Sequence, residues 1–354
     1  MAQKRSTCET DEERENEMPQ SKLSLDYAPM EAELKNALPP GDKWMFEPKW
    51  DGFRCIAHKD GDDINLISKS GQQLGRYFPE VVETLQKLPA KHFVVDGELV
   101  VPEGNSFSFD NLLQRIHPAQ SRVLKLSKET PALYILFDLL VTDEDELIVD
   151  RPFSERRKEL EGFAERVLKD LKTIIITPVT TDREVADGWF TRVSEFNDGV
   201  IAKRSDLSYQ SGNRKGMIKV KRQRTADCVI GGFRFATGSS KEIGSLLLGL
   251  YDEEGELHHV GFTSGFASVD KKKLCAELLE LQTDSSFTAN IPGAPSRWST
   301  ERSTKWQPVK PEIVVEVRFD HLTGGRFRHG TKLLRLRPDK KPKQCDFAQL
   351  GSKT

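Results

Sequence analysis

The chain has little cysteine and no pattern in what it has. Its five cysteines are Cys8, Cys55, Cys228, Cys275 and Cys345, and no two form a C-x-x-C pair. That argues against a zinc ribbon or a disulfide-built scaffold and suits a reducing cytoplasm. The seven histidines form no H-E-x-x-H pattern. No stretch approaches the roughly 18 apolar residues of a membrane span, and the charged N-terminus has no signal-peptide core. G-x-x-x-x-G-K-[ST] and G-x-G-x-x-G are both missing, so nucleotide phosphates, if bound, must be held mainly by side chains. No internal repeat or low-complexity block is visible.

Charge is present but unevenly placed. The 354 residues carry a net charge of only -2, with 37% apolar and 31% charged side chains. Residues 1–20 are net -3 and read as a disordered acidic tail, taken here as 1–22. Residues 203–241 are net +8 and residues 301–354 net +7. Such stretches can present a positive face to a polyanion, or they can be solvated surface.

Two domains fit the length. From about Leu23 to Lys221, strand-like runs (FVVDGELVV 93–101, ALYILFDLLV 132–141, TIIITPV 173–179, GVIAKR 199–204) alternate with helical patterns at 77–88 and 152–168. Beyond Lys221 come glycine-punctuated strands at 227–237, 245–265 and 312–322, with a hairpin tip at Glu254-Gly255 and one amphipathic helix at 269–282. The expected architecture is α+β over 23–222, then a small Greek-key barrel of OB type over 223–354.

Several polar residues interrupt apolar strands. FEPKWDGFRC (46–55) sets Lys49 beside the turn signal Asp51-Gly52, between two apolar stretches. Its plain reading is a hairpin turn with a solvated lysine. Asp96 and Glu98 interrupt one strand, Asp138 another, and Asp198 and Lys203 bracket a third. Lys219 and Lys221 alternate in MIKVK and so share one face; an edge strand guarded by lysines is the plain reading. Together, lysines and acids at strand ends describe a pocket for a triphosphate and a divalent metal.

In this order the elements resemble the covalent nucleotidyltransferase superfamily of DNA ligases, RNA ligases and mRNA capping enzymes. The signature K-x-D-G-x-R is met by Lys49, Asp51, Gly52 and Arg54, followed by SKSG (68–71), VDGELV (95–100), YILFDLL (134–140), DGVIAKR (198–204), MIKVK (217–221) and RLRPDK (335–340). One hexapeptide is weak evidence; seven motifs in order are specific. EPKWDGFR and the stretch RFRHGTKLLRLRPDKKPKQC are most similar to bacterial ATP-dependent DNA ligases of the ligase C and ligase D kind.

The resemblance implies an adenylation (nucleotidyltransferase, ATP-grasp-like) domain followed by an OB-fold domain, and an enzyme that seals nicks in duplex DNA. Lys49 would attack the α-phosphate of ATP, giving lysyl-AMP and pyrophosphate. A free lysine has a pKa of about 10.4, and Arg54, Lys203, Lys219, Lys221 and bound Mg²⁺ (or Mn²⁺) would lower it. Glu47 would recognise the adenine edge and Phe137 would stack on it. Arg54 and Glu98 would contact the ribose, and Asp198 would hold the metal with Glu98 or Asp138. Asp198 stands where many relatives have Glu. Lys219 and Lys221 would bind the α-phosphate; Arg337, Asp339 and Lys340 would orient the pyrophosphate. Lys69, Arg326 and Arg328 would touch DNA.

With no segment left for a further DNA-binding, zinc-finger or polymerase module, the expectation is a monomeric, cytoplasmic repair or recombination ligase acting at the bacterial nucleoid. It would work with an end-binding or gap-filling partner. The rival readings are an RNA ligase or capping-type guanylyltransferase, and a non-catalytic DNA-end-binding module.

Overall fold

The computed structural model describes residues 22–350 apart from 105, 170, 192–197, 222–223, 267–268, 293–304, 321 and 329. The expected acidic tail, Lys22 aside, lies outside the described residues. The chain divides into two compact units, Met1–Arg222 and Gln223–Thr354.

The first unit is built on two sheets. The larger has five strands in the order Asp63–Ser68, Phe53–Asp60, His92–Val100, Leu133–Val141, Ile174–Ile176. The strand expected over 173–179 shortens to three residues, paired parallel to Leu133–Val141. One face of this sheet packs with helices Pro79–Gln86 and Phe153–Val167 around Phe78, Leu85, Phe93, Tyr134, Leu160 and Phe163. Both helices fall inside the stretches read from apolar spacing, and Pro152 serves as N-cap of the second. The other face is buried too. Ile56, Val94, Leu140 and Met217 make a second core with Leu23, Met30 and Tyr209.

The smaller sheet runs Glu33–Lys35, Met217–Lys221, Gly199–Arg204, Trp44–Pro48. Met217–Lys221 therefore has a neighbour on each side, which corrects the edge-strand reading of MIKVK. Trp44–Pro48 belongs to this sheet, while Phe53–Asp60 belongs to the larger one. FEPKWDGFRC is thus a crossing from one sheet to the other, and the hairpin reading is wrong. Two apolar strands flanking Asp-Gly look like a hairpin locally, but each finds its partners far away in sequence.

The second unit is a closed barrel. Arg224–Phe235, Ile243–Tyr251, Leu257–Phe266, Thr331–Leu336 and Val314–Phe319 pair in turn, and the last returns to the first. Leu257–Phe266 and Thr331–Leu336 are parallel; the other barrel pairs are antiparallel. Helix Lys271–Glu280 follows the third strand and turns Leu274 and Leu278 into the core. The tip at Gly255 has φ +83, a conformation suited to glycine. This is the OB-type barrel expected from the strand count. Among the described residues, no helix is long and apolar enough to cross a membrane.

Candidate active site

Lys49 sits at the sheet crossing. Its N–H donates to the carbonyl of Gly199 (2.9 Å), and its carbonyl accepts from the N–H of Asp198 (2.8 Å), so the Lys49 backbone is fixed to the strand opposite. The next residues must turn tightly against the larger sheet. A Cβ on Gly52 would lie 2.1 Å from the carbonyl oxygen of Leu99, so only glycine fits there. The Gly52 N–H donates to Glu98 Oε1 at 3.0 Å, tying the turn to an acid of the neighbouring strand. Trp50 is pinned by its indole N–H, which donates to Thr177 Oγ1 at 2.9 Å.

A cleft opens above this point. Glu31, Glu47, Lys49, Arg54, Lys69, Glu98, Phe137, Ile201, Lys203, Met217 and Lys219 are among its lining residues. At one end Glu47, 2% exposed, faces Lys203, whose Nζ lies 2.9 Å from Oε2 and donates to the Phe137 carbonyl at 3.0 Å. Burial raises the Glu47 pKa while Lys203 opposes the rise. Glu47 Oε1 is buried and accepts from no group among the described residues. The Phe137 ring stands against Lys203 Nζ (4.7 Å) and the Arg54 guanidinium (5.3 Å).

Arg54 is held from behind. Its Nε and Nη2 donate to the buried carboxylate of Asp96 (3.1 and 2.6 Å), and Nη1 donates to the Met30 carbonyl. The Tyr209 hydroxyl donates to the same carboxylate at 2.6 Å. At the rim, Glu31 bridges Lys69 (2.8 Å) and Arg214 (2.9 Å), which hold its carboxyl at about 2.

The expected cationic field around Lys49 is not what surrounds it. Lys49 Nζ is 3.0 Å from Asp198 Oδ2, which also lies 3.5 Å from Lys221. Desolvation pushes the lysine down, but Asp198, Asp51 and Glu98 outweigh it, and its pKa is raised. The reason is that Arg54 and Lys203 are neutralised by Asp96 and Glu47, and Lys221 shares Asp198 with Lys49 itself. Lys219 makes no ion pair among the described residues; burial, with Lys221 and Lys49 nearby, lowers its pKa.

Asp138 is engaged elsewhere: both its oxygens accept from Arg156 (2.8 and 2.9 Å) in a buried pair. Glu98 and Asp198 remain. Burial lifts the Glu98 carboxyl to about 7, opposed by Lys49 and Arg54. Among the described residues no group of three His, Cys, Asp or Glu side chains converges to hold a metal alone. Two carboxylates at one lysine do fit an ion that takes its other ligands from phosphate oxygens and water.

The remaining expected residues lie in the barrel unit. Arg326 donates to His259 Nδ1 at 2.6 Å, and Arg328 is half-buried nearby in the chain. Arg337 and Lys340 both donate to Asp227. The sequence reading singled out Asp96 without giving it a role and missed Glu31, Tyr209, Ile201, Met217 and Arg214. Ile201 was within reach, since it alternates with Lys203 on one strand face. Glu31, Tyr209 and Arg214 carried no local signal.

A lysine fixed between two sheets inside such a cleft, in a chain that continues into an OB barrel, defines the covalent nucleotidyltransferase class. Residues 28–221 match the family described as ATP dependent DNA ligase domain, and residues 239–340 match ATP dependent DNA ligase C terminal region. The chain belongs to the ATP-dependent DNA ligases. It is 43% identical over 342 residues to DNA ligase C2 of Mycolicibacterium smegmatis (92% of this chain, 94% of that protein). It is 42% identical over 340 residues to DNA ligase C of Mycobacterium tuberculosis (91% and 93%). It is also 31% identical over 306 residues to the multifunctional non-homologous end joining DNA repair protein LigD of M. tuberculosis, covering 85% of this chain and 37% of that protein.

Proposed function

We propose that this ATP-dependent DNA ligase seals nicks in duplex DNA through an adenylate on Lys49, in repair or recombination. The observation that carries the reading is the Lys49 amine held in a cleft whose far end is the buried, half-satisfied carboxylate of Glu47. Glu47 Oε1 accepts from the adenine 6-amino group; guanine offers a carbonyl there and would leave two acceptors opposed. Phe137 supplies the stacking face, and Glu98, with Arg54 behind it, meets the ribose.

The Lys49 ammonium first loses a proton to solvent; neutral Nζ then attacks the α-phosphorus, a P–N bond forms, the bond to pyrophosphate breaks, and a second nitrogen proton passes to solvent or the departing pyrophosphate. Lys219 and Lys221 draw charge from the α-phosphate oxygens. Asp198 and Glu98 would hold Mg²⁺ or Mn²⁺, whose charge would neutralise the phosphate and oppose the carboxylates that keep Lys49 protonated. Arg337, Asp339 and Lys340 orient the pyrophosphate. AMP then passes to the 5′-phosphate of a nick, and the 3′-hydroxyl attacks that phosphate and releases AMP. Lys69, Arg326 and Arg328 contact the duplex backbone. The kinship with a LigD end-joining protein supports a repair role, as a monomer at the nucleoid, alongside an end-binding or gap-filling partner.

Intact mass after incubation with ATP and Mg²⁺ tests the reading. Wild type gains the mass of AMP and Lys49→Ala does not. A GMP-sized gain with GTP alone would turn the reading to a capping-type enzyme. No gain with either, in protein not already adenylated, would leave a binding module.

A further inference from the structure

Two cations of the last motif converge on one carboxylate that no part of the proposed mechanism uses. Asp227 lies near the start of the first barrel strand and is 9% exposed. Arg337 Nη1 donates to both its oxygens (2.9 and 3.2 Å), and Lys340 Nζ donates to Oδ2 at 2.6 Å. The other nitrogens of Arg337 are also taken: Nε and Nη2 donate to Asp339 at 2.9 and 2.8 Å. Every nitrogen of the guanidinium therefore has a carboxylate partner, and the pair of cations faces a pair of anions.

The two carboxylates differ in kind. Asp339 is mostly exposed and sits two residues from Arg337, so it travels with the arginine. Asp227 belongs to the barrel wall. It stands opposite Glu316 in the ladder, its N–H donates to Gln349 Oε1 (2.8 Å), and its carbonyl accepts from Gln349 Nε2 (3.0 Å). Glu316 does not substitute for it, since Glu316 is held by Arg335 at 2.6 Å and lies 3.9 Å from Arg337. A fixed carboxylate thus draws both cations against the barrel, where their side chains are only 19% and 24% exposed.

We propose that Asp227 is a resting-state counter-ion that competes with the β- and γ-phosphates for Arg337 and Lys340, setting how tightly ATP is taken up and how readily pyrophosphate leaves. This rests on the reading that those two residues meet the pyrophosphate. A guanidinium fork fits carboxylate and phosphate alike, so the same N–H groups cannot serve both. Before ATP arrives, Asp227 spares the protein an unpaired, half-buried Lys340 and gives Arg337 a buried partner beside the exposed Asp339. Once AMP is on Lys49, recapture of the cations by Asp227 favours loss of pyrophosphate and opposes the reverse reaction, in which pyrophosphate attacks lysyl-AMP and regenerates ATP and the free lysine.

The test compares the full-length wild type with Asp227→Asn, which keeps the shape and loses the charge, and Asp227→Glu, which keeps the charge. Two constants are read: the KM for ATP in self-adenylation, and the pyrophosphate concentration that strips half the AMP from pre-adenylated enzyme. Asp227→Asn lowers both, by about three- to tenfold, as expected for loss of one ionic competitor; Asp227→Glu stays near wild type. Sealing of a pre-adenylated nick, which involves no triphosphate, is unchanged. Should Asp227→Asn melt below the assay temperature, Asp227→Ser carries the same comparison. Unchanged constants, or a lower maximal rate at unchanged KM, overturn the counter-ion role. Wild type that takes no AMP from ATP would instead sink the underlying reading.

Discussion

Lys49 is the residue where sequence and structure speak most differently. Its position in FEPKWDGFRC was legible, and so were most of the cleft side chains around it. Its electrostatics were not, because the strongest neighbours of each cation are carboxylates from other strands: Asp96 for Arg54, Glu47 for Lys203, Asp198 for Lys49 and Lys221. The outcome has a measurable sign. A lysine whose pKa is raised stays protonated through neutrality, and its reactive fraction grows tenfold for each pH unit below that pKa. Single-turnover adenylation at subsaturating ATP, which reports the free enzyme, should therefore rise with pH through neutrality with a logarithmic slope near one. Asp198→Asn removes the nearest carboxylate and should shift that profile to lower pH, with a lower plateau if the proposed metal contact is lost. A profile that stays in place would mean Asp198 does not set the Lys49 pKa.

At the scale of elements, the sequence revealed what is local and hid what is distant. Helix Phe153–Val167 shows its buried face in Phe153, Leu160, Phe163 and Val167, and the tip at Gly255 shows itself in Glu-Gly. In Phe53–Asp60, apolar residues occur on both faces, a sign that the strand separates two cores and is not one-sided. Glu33–Lys35 was invisible: all three residues are exposed, and only its pairing to Met217–Lys221 makes it a strand. Which sheet each side of the Lys49 crossing joins depends on partners that local pattern does not contain. The crossing itself is exacting. Gly52→Ala drives a methyl into the Leu99 carbonyl and to 2.9 Å from Glu98 Cγ. Thermal or denaturant unfolding should show a loss of about 1–3 kcal/mol, and AMP loading should fall further than stability does, since Glu98 is displaced. Wild-type loading in a stable Gly52→Ala would show that the close approach is not needed.

For the molecule as a whole, among the described residues each unit buries one histidine held neutral. His58 is held at about 4 by burial, and His259 at about 3 by burial together with Arg326 and Arg234. Neither ring nitrogen of His58 has a partner among the described residues. In the unfolded chain both titrate near 6.5. Between about 6.5 and these lower values the unfolded state binds more protons, so stability falls as pH falls below 6.5 and is fully kept above it. Denaturant midpoints measured from pH 7.5 to 5 should fall for wild type and fall less steeply for His58→Leu and for His259→Phe. Equal slopes in all three proteins would assign acid sensitivity to other groups.

The wall of the Lys49 cleft is completed late. Gly199–Arg204 and Met217–Lys221 follow most of the adenylation unit in the chain, yet one bonds the Lys49 backbone directly and the other brings Lys219 to the cleft. During synthesis, Lys49 leaves the ribosome long before its pocket exists. A nascent chain halted ahead of Gly199 would carry Lys49 in an unfinished sheet and take no AMP; the Lys49 pocket is complete only after Lys221 has emerged, and Arg337 and Lys340 follow later still.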